Sequence, residues 1–236
     1  MVMTMGETTE TEAAYPRSVL VVEDEPLLRE LIGSALETRG FEVVAAGSAS
    51  DAVRAFRALD PDGVVMDIDL GPGPNGFDLA ERFVEAGTGV AIVFLTNLPD
   101  PRFVGRASDA LPAGIAYLRK GAVHEIDVLV ETLDAAMRGF VVGEMRHDRS
   151  DDRPYASLTR HQVEALRLVA LGRTNAQIAE LRGTTVKAAE RVVARALAAA
   201  GEDAGPAGNS RVDAARRFIR LSGQPVSLAD ESGVDQ

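Results

Sequence analysis

From Ser18 to about Gly139 the chain alternates between short apolar runs and stretches of helical period. The runs SVLVV, EVVAA, GVVM, VAIVFL and IAYL are four to six residues long. Continuous apolar runs of that length between helical stretches read as buried parallel strands, because a half-exposed strand would alternate apolar with polar. The pattern predicts strands near 18–22, 42–46, 63–66, 90–95 and 115–118. It predicts helices near 26–38, 50–58, 76–86, 101–110 and 124–138, with Gly40 closing the first. Strand–helix alternation of this kind predicts an α/β doubly wound five-stranded parallel sheet. Ligands in such sheets sit at the carboxyl ends of the strands.

From Thr159 onward only helical patterns remain. Thr159 with Gln162, and Thr174 with Gln177, have the spacing of capping boxes, and Gly172 and Gly183 stop those two helices. Thr184 or Thr185 opens a third helix that ends at Gly201, and Ser210 opens a fourth that ends at Gly223. Val163, Leu166, Ile178, Leu181, Val193 and Leu197 are placed to form one core. The expected organisation is a disordered N-terminus over 1–16, an α/β domain over 17–139, a charged linker over 140–157, an all-α domain over 158–222 and a disordered tail over 223–236.

Composition narrows the function. At 236 residues the chain suits two domains. It has no apolar run long enough to span a membrane and no apolar segment of a secretory signal at its acidic start. Cysteine is absent, which removes disulfides, thiolate catalysis and thiolate-bound zinc, and a cytoplasmic location is expected. His124, His147 and His161 are scattered and do not suggest a histidine-rich metal site. The net charge of −11 is unevenly spread: residues 153–222 carry +6 and the remainder −17. An acidic body joined to a basic module predicts two separate jobs.

Chemistry-bearing residues fall at strand ends. Glu23 and Asp24 follow the first strand, Asp67 ends the third, Thr96 ends the fourth and Lys120 follows the fifth. The topology brings these positions to one crevice, where several carboxylates stay ionised only beside a cation. Oxygen ligands of this type suit Mg²⁺. An aspartate there can attack a phosphoryl group, and a lysine and a threonine hydroxyl can hold its oxygens. Taken singly, Glu23-Asp24 reads as a solvated turn, Lys120 as a surface charge and Thr96 as a strand-end hydroxyl.

Taken in order, VVEDEP, VVMDIDLGPGPNG, IVFLTN and YLRK resemble the motifs of two-component response-regulator receiver domains. The resemblance implies that Asp67 is the phosphoacceptor and that Asp24 ligates Mg²⁺, with Glu23 acting through water and the Asp69 carbonyl as a further ligand. It implies that Thr96 is the switch hydroxyl, Lys120 the phosphate-pairing cation and Tyr117 an aromatic that turns inward on phosphorylation. Glu23 stands where aspartate is commoner, Gly121 where proline is common, and the segment GPGPNG after Asp67 is one residue longer than the usual loop. The DIDLG segment is also similar to the Asp-x-Asp of haloacid-dehalogenase-type phosphatases. There the motif follows the first strand, whereas here it follows the third.

The stretch from Leu158 to Gly201 resembles the LuxR-type helix-turn-helix of NarL/FixJ-type regulators. Lys187, Arg191 and Arg195 recur at spacing four and share one helical face suited to a major groove. Thr174, Thr184 and Thr185 stand at helix starts, where phosphates can be bound. Together these features predict a phosphorylation-controlled transcription regulator rather than an enzyme. The expected partners are a histidine kinase, DNA and, on activation, a second copy of the chain. The alternative is a partner-binding or kinase-titrating protein whose helical domain no longer reads DNA.

Overall fold

The computed structural model describes residues 16–107, 111–112, 114–201 and 209–222. The predicted disordered N-terminus, apart from Pro16, and the predicted tail lie outside these residues, as do residues 202–208 between the third and fourth predicted helices. Five parallel strands, β1 (Ser18–Val22), β2 (Glu42–Ala46), β3 (Gly63–Met66), β4 (Ala91–Thr96) and β5 (Ala116–Arg119), form one sheet in the order β2-β1-β3-β4-β5. The doubly wound architecture expected from the sequence is therefore the observed one. Strand order reverses between β1 and β3, and this opens a crevice at their carboxyl ends.

Side chains on each strand alternate between two apolar layers. Val19 and Val21 pack beneath α1 (Pro26–Thr38) and α4 (Ile126–Met137). Leu20 and Val22 face the layer of α2 (Ala49–Leu59) and α3 (Gly76–Glu85). Pro26 starts α1, where its missing N–H is no loss. Ser48 caps α2, and Asn75 with Asp78 forms a capping box on α3.

The helix predicted over 101–110 does not form over residues 101–107. A 3₁₀ turn over Pro101–Val104 replaces it, and Gly105 stops it at φ 81°. Residues 108–110 lie outside the described segments. The turn is held by tertiary contacts in place of a helical ladder. Asp100 caps Arg102 N–H, and the buried Arg102 guanidinium pairs with Asp100 at 2.6 Å. The same guanidinium donates to the carbonyls of Leu158 and, at 3.0 Å, Tyr155.

The basic region forms α5 (Arg160–Ala170), α6 (Asn175–Leu181), α7 (Val186–Ala199) and α8 (Ser210–Ser222). Both predicted capping boxes are present, and Thr185 rather than Thr184 caps α7. Val163, Leu166, Ile178 and Val193 are buried and Leu197 is partly buried. Leu181 is exposed, because it ends the short helix α6 and points away from that core.

The linker is not a loose tether. Arg146 and Asp148 form a buried ion pair at 2.8 Å, and Arg146 bridges Tyr117 in parallel pairing along the open edge of β5. His147 Nδ1 accepts the Arg119 N–H at 3.0 Å. Tyr155 lies between the sheet layer and the helices. It stacks on Phe103, and Phe103 stacks on Phe218 of α8 at 4.6 Å between ring centroids. One continuous apolar core therefore runs from the sheet into the helical region.

Phe218 is fully buried at the centre of this junction. Phe218→Ala is expected to destabilise it by roughly 3–5 kcal/mol. The check is urea unfolding followed by two probes, one for the sheet and one for the helices. The two transitions are expected to coincide in the parent chain and to separate in the variant.

Candidate functional site

The crevice between β1 and β3 gathers the acidic residues. Asp67 follows β3 and its N–H donates to Val22 O at 2.9 Å, while Glu23 N–H donates to Ala46 O at 3.1 Å. These continuations of the strand ladder place both side chains at the same end of the sheet. Carboxylate oxygens of Glu23, Asp24 and Asp67 lie within 4.8 Å of one another. Asp69, Thr96, Asn97, Leu98 and Lys120 line the same cavity of about 300 Å³.

Asp67 is the best-anchored of these groups. Its Oδ1 accepts the N–H groups of Ile68 at 2.6 Å and Asp69 at 3.2 Å. Its Oδ2 lies 2.6 Å from Lys120 Nζ, which reaches Glu23 Oε2 at 2.8 Å. One ammonium thus bridges two buried carboxylates. Behind Asp67 the chain leaves no room: a Cβ at Gly76 would sit 2.3 Å from the Asp67 carbonyl oxygen. Only glycine lets α3 begin that close to the loop.

The electrostatics follow from crowding. Burial, reinforced by the Asp67 charge and only partly offset by Lys120, pushes the Glu23 carboxyl up to about 7. Burial likewise raises Asp69, with the charges of Asp67 and Asp24 adding to it. Burial alone would lower Lys120, but Asp67 and Glu23 outweigh it and leave the ammonium more firmly protonated. A compact set of hard oxygen donors carrying more negative charge than one ammonium neutralises fits a divalent cation such as Mg²⁺.

Residues 19–120 match the response regulator receiver domain family. This part of the chain is a receiver domain. Over 136 residues the chain is 36% identical to the transcriptional regulatory protein PdtaR of Mycobacterium tuberculosis, an alignment that covers 57% of this chain and 63% of PdtaR. It is 27% identical over 172 residues to BvgA of Bordetella pertussis, a putative positive transcription regulator of virulence factors, covering 69% of this chain and 80% of BvgA. The chain spans under two thirds of the length of PdtaR. Among solved structures, the complex of the response regulator RcsB with DNA superposes with a TM-score of 0.54 at 19% identity. That likeness covers 87% of this chain and 98% of RcsB, so the fold of sheet domain plus helical region is shared along nearly the whole length.

The residues singled out in the receiver domain separate into two groups. Glu23, Asp24, Asp67, Asp69, Thr96 and Lys120 share the cavity. Tyr117 does not. Its ring is fully buried and its hydroxyl donates to Leu98 O at 3.0 Å, which is the inward position expected of it on phosphorylation. The linker residue Arg146, paired beside it on the edge of β5, covers this side of the strand. Thr96 is buried, and its Oγ1 accepts Leu98 N–H at 3.4 Å.

In the helical region Thr174, Thr184, Thr185, Lys187, Arg191 and Arg195 are all exposed. The Thr174 and Thr185 hydroxyls already accept the N–H groups of Gln177 and Ala188 as helix caps. Thr174 Oγ1 also contacts Gln177 Oε1 at 3.2 Å, so its proton has an internal acceptor. Sequence reasoning missed Ser222, the last residue of α8, which lines the acidic cavity. No local pattern around Ser222 marks it, because only the docking of α8 on Phe103 carries it there.

The Glu23 shift has a sign that can be measured. Between about pH 4.5 and 7 the folded metal-free chain holds a proton that the unfolded chain has released. The contribution of Glu23 to stability is therefore largest at the acid end of that window and falls as pH rises through it. Glu23→Gln is expected to flatten that segment of the stability–pH curve, measured by urea unfolding without divalent cation.

Proposed function

We propose that the chain is a phosphorylation-controlled transcription regulator in which Asp67 receives a phosphoryl group from a histidine kinase or a small acyl phosphate. The receiver unit spans 17–139, residues 140–157 join it to the output, and residues 158–222 form a helix-turn-helix that reads DNA. The arrangement that supports this most directly is the anchored Asp67 sharing Lys120 with Glu23 beside Asp24.

Asp67 Oδ1 is occupied by two main-chain N–H groups, so Oδ2 is the oxygen that changes partner. A bond forms from Oδ2 to phosphorus as the donor's bond to phosphorus breaks, and the leaving group departs with that electron pair. Asp24, Asp67 and the Asp69 carbonyl would hold Mg²⁺, with Glu23 acting through water, and the ion would offset charge on the phosphoryl oxygens. Lys120 passes from Oδ2 to a phosphoryl oxygen, and Thr96 turns its hydroxyl toward another. Thr96 then gives up its bond with Leu98 N–H. The Leu98 carbonyl holds the Tyr117 hydroxyl, so this step loosens the segment that leads to Arg102 and Phe103. Those two residues grip the output helices, which gives the added charge a short mechanical route to α8.

On the output side, the exposed Lys187, Arg191 and Arg195 of α7 supply base-edge and phosphate contacts. Two-fold pairing of activated chains matches two half-sites on DNA. A second reading keeps the receiver chemistry but gives the helical module a protein partner. Exposed Glu190 on α7, between Lys187 and Arg191 in sequence, favours it.

Asp67→Asn is expected to abolish label uptake from a radiolabelled acyl phosphate in Mg²⁺; persistent labelling would reassign the acceptor. Arg191→Ala and Lys187→Ala are expected each to weaken retention of genomic fragments and to lower the salt dependence by about one counterion per cation removed. Unchanged retention would favour the protein-partner reading.

A further inference from the structure

The acidic loop that carries Glu23 and Asp24 has no cap of its own. Glu25 precedes α1 without a side-chain hydrogen bond to the helix start, and its N–H has only a long contact of 3.4 Å to Glu23 Oε1. What holds this main chain comes from one turn into α1. Arg29 Nη1 donates to the Glu23 carbonyl at 2.6 Å and to the Asp24 carbonyl at 3.3 Å. The Glu23 peptide is thus fastened on both sides, its N–H by Ala46 O and its carbonyl by Arg29.

A second feature points to the same guanidinium. Gly47 follows β2, and a Cβ there would lie 2.9 Å from Arg29 Nη1 and 3.1 Å from its Cζ. Gly47 does not adopt a positive φ, so the backbone itself does not require glycine. The space a side chain at position 47 would take is filled by the Arg29 head group.

We infer that Arg29 is a positioning residue for the cation site, and that Gly47 is the space reserved for it. This rests on the phosphoacceptor reading of Asp67 and adds to it a residue outside the acidic cavity. Arg29 touches neither Asp67 nor an incoming phosphoryl group. It acts by fixing the peptides of residues 23 and 24, so that their carboxylates are held against the Asp67 side chain before a cation arrives. Without it the loop samples more conformations, and ordering it becomes part of the cost of binding. Its charge also rests on the main chain of a loop that bears Glu23, Asp24 and Glu25 in succession.

The test compares the full chain with Arg29→Ala, Arg29→Lys and Gly47→Ala. Mg²⁺ affinity is measured by calorimetry, thermal midpoints are taken without Mg²⁺, and labelling from acyl phosphate is followed across a Mg²⁺ titration. Gly47→Ala leaves Arg29 in the sequence but evicts its head group, and the arginine side chain is long enough to swing aside without disturbing the fold. Arg29→Ala and Gly47→Ala are each expected to weaken Mg²⁺ binding by roughly tenfold, the size seen when partners that orient metal ligands are removed. Midpoints without Mg²⁺ should stay near the parent value, Arg29→Lys should lie between, and labelling at saturating Mg²⁺ should recover. If the parent binds Mg²⁺ and both variants bind it equally tightly, the positioning role is wrong while the phosphoacceptor reading stands. A parent chain that binds no Mg²⁺ would overturn both.

Discussion

Three carboxylates at the end of a buried parallel sheet repel one another, and the sheet cannot relax to separate them. Parallel strands need covering on both faces, so β1 and β3 are pinned side by side by apolar layers that have no other place to go. Their carboxyl ends open into the crevice made by the reversal of strand order. Charge is therefore forced together by hydrophobic packing, and the site must answer with cations. Among the described residues Lys120 supplies one ammonium to Glu23 and Asp67, while Asp24 and Asp69 line the same cavity. The remaining negative charge is what a divalent ion can answer.

The second organising feature is the junction between the two halves. The pattern of the sequence predicts a helix over 101–110, yet Arg102 and Phe103 are spent on binding the output region. A buried ion pair such as Arg102 with Asp100 contributes little net stability against its desolvation, but breaking it leaves a charge uncompensated. That makes the junction specific more than strong, while the stack of Phe103, Tyr155 and Phe218 supplies the apolar contact. The grip sits only a few residues beyond Thr96, and the proposed route from Asp67 to the helical region rests on that closeness. Ser222 at the cavity edge brings the two ends of this relation into direct proximity.

The strands, most helices and both capping boxes were legible because each depends on local signals: run length, period and the Thr–Gln spacing. The acidic site was legible for a related reason. Parallel topology maps strand ends to one place, so Glu23, Asp24, Asp67, Thr96 and Lys120 could be assembled before any coordinates. The helix expected over 101–110 failed because its residues are compatible with a helix but are claimed by partners distant in sequence. Tyr117 is fully buried beside a bridge to Arg146, a contact made by a linker that carries no apolar period. Leu181 fitted the helical stripe yet sits at a helix end, where the stripe no longer faces the core.

By itself the sequence determined the alternation that builds the sheet, the identity of the acids and the cation that converge on it, and the separate basic module. These follow from short-range periodicity and from a topology with few alternatives. Only the tertiary structure decided how the two modules meet, that Tyr117 is buried against Leu98, and that Arg29 and Gly47 stand behind the acidic loop. Each of those depends on contacts between segments far apart in the chain. Their strength is set by burial and by hydrogen-bond geometry, neither of which leaves a periodic trace in the order of residues.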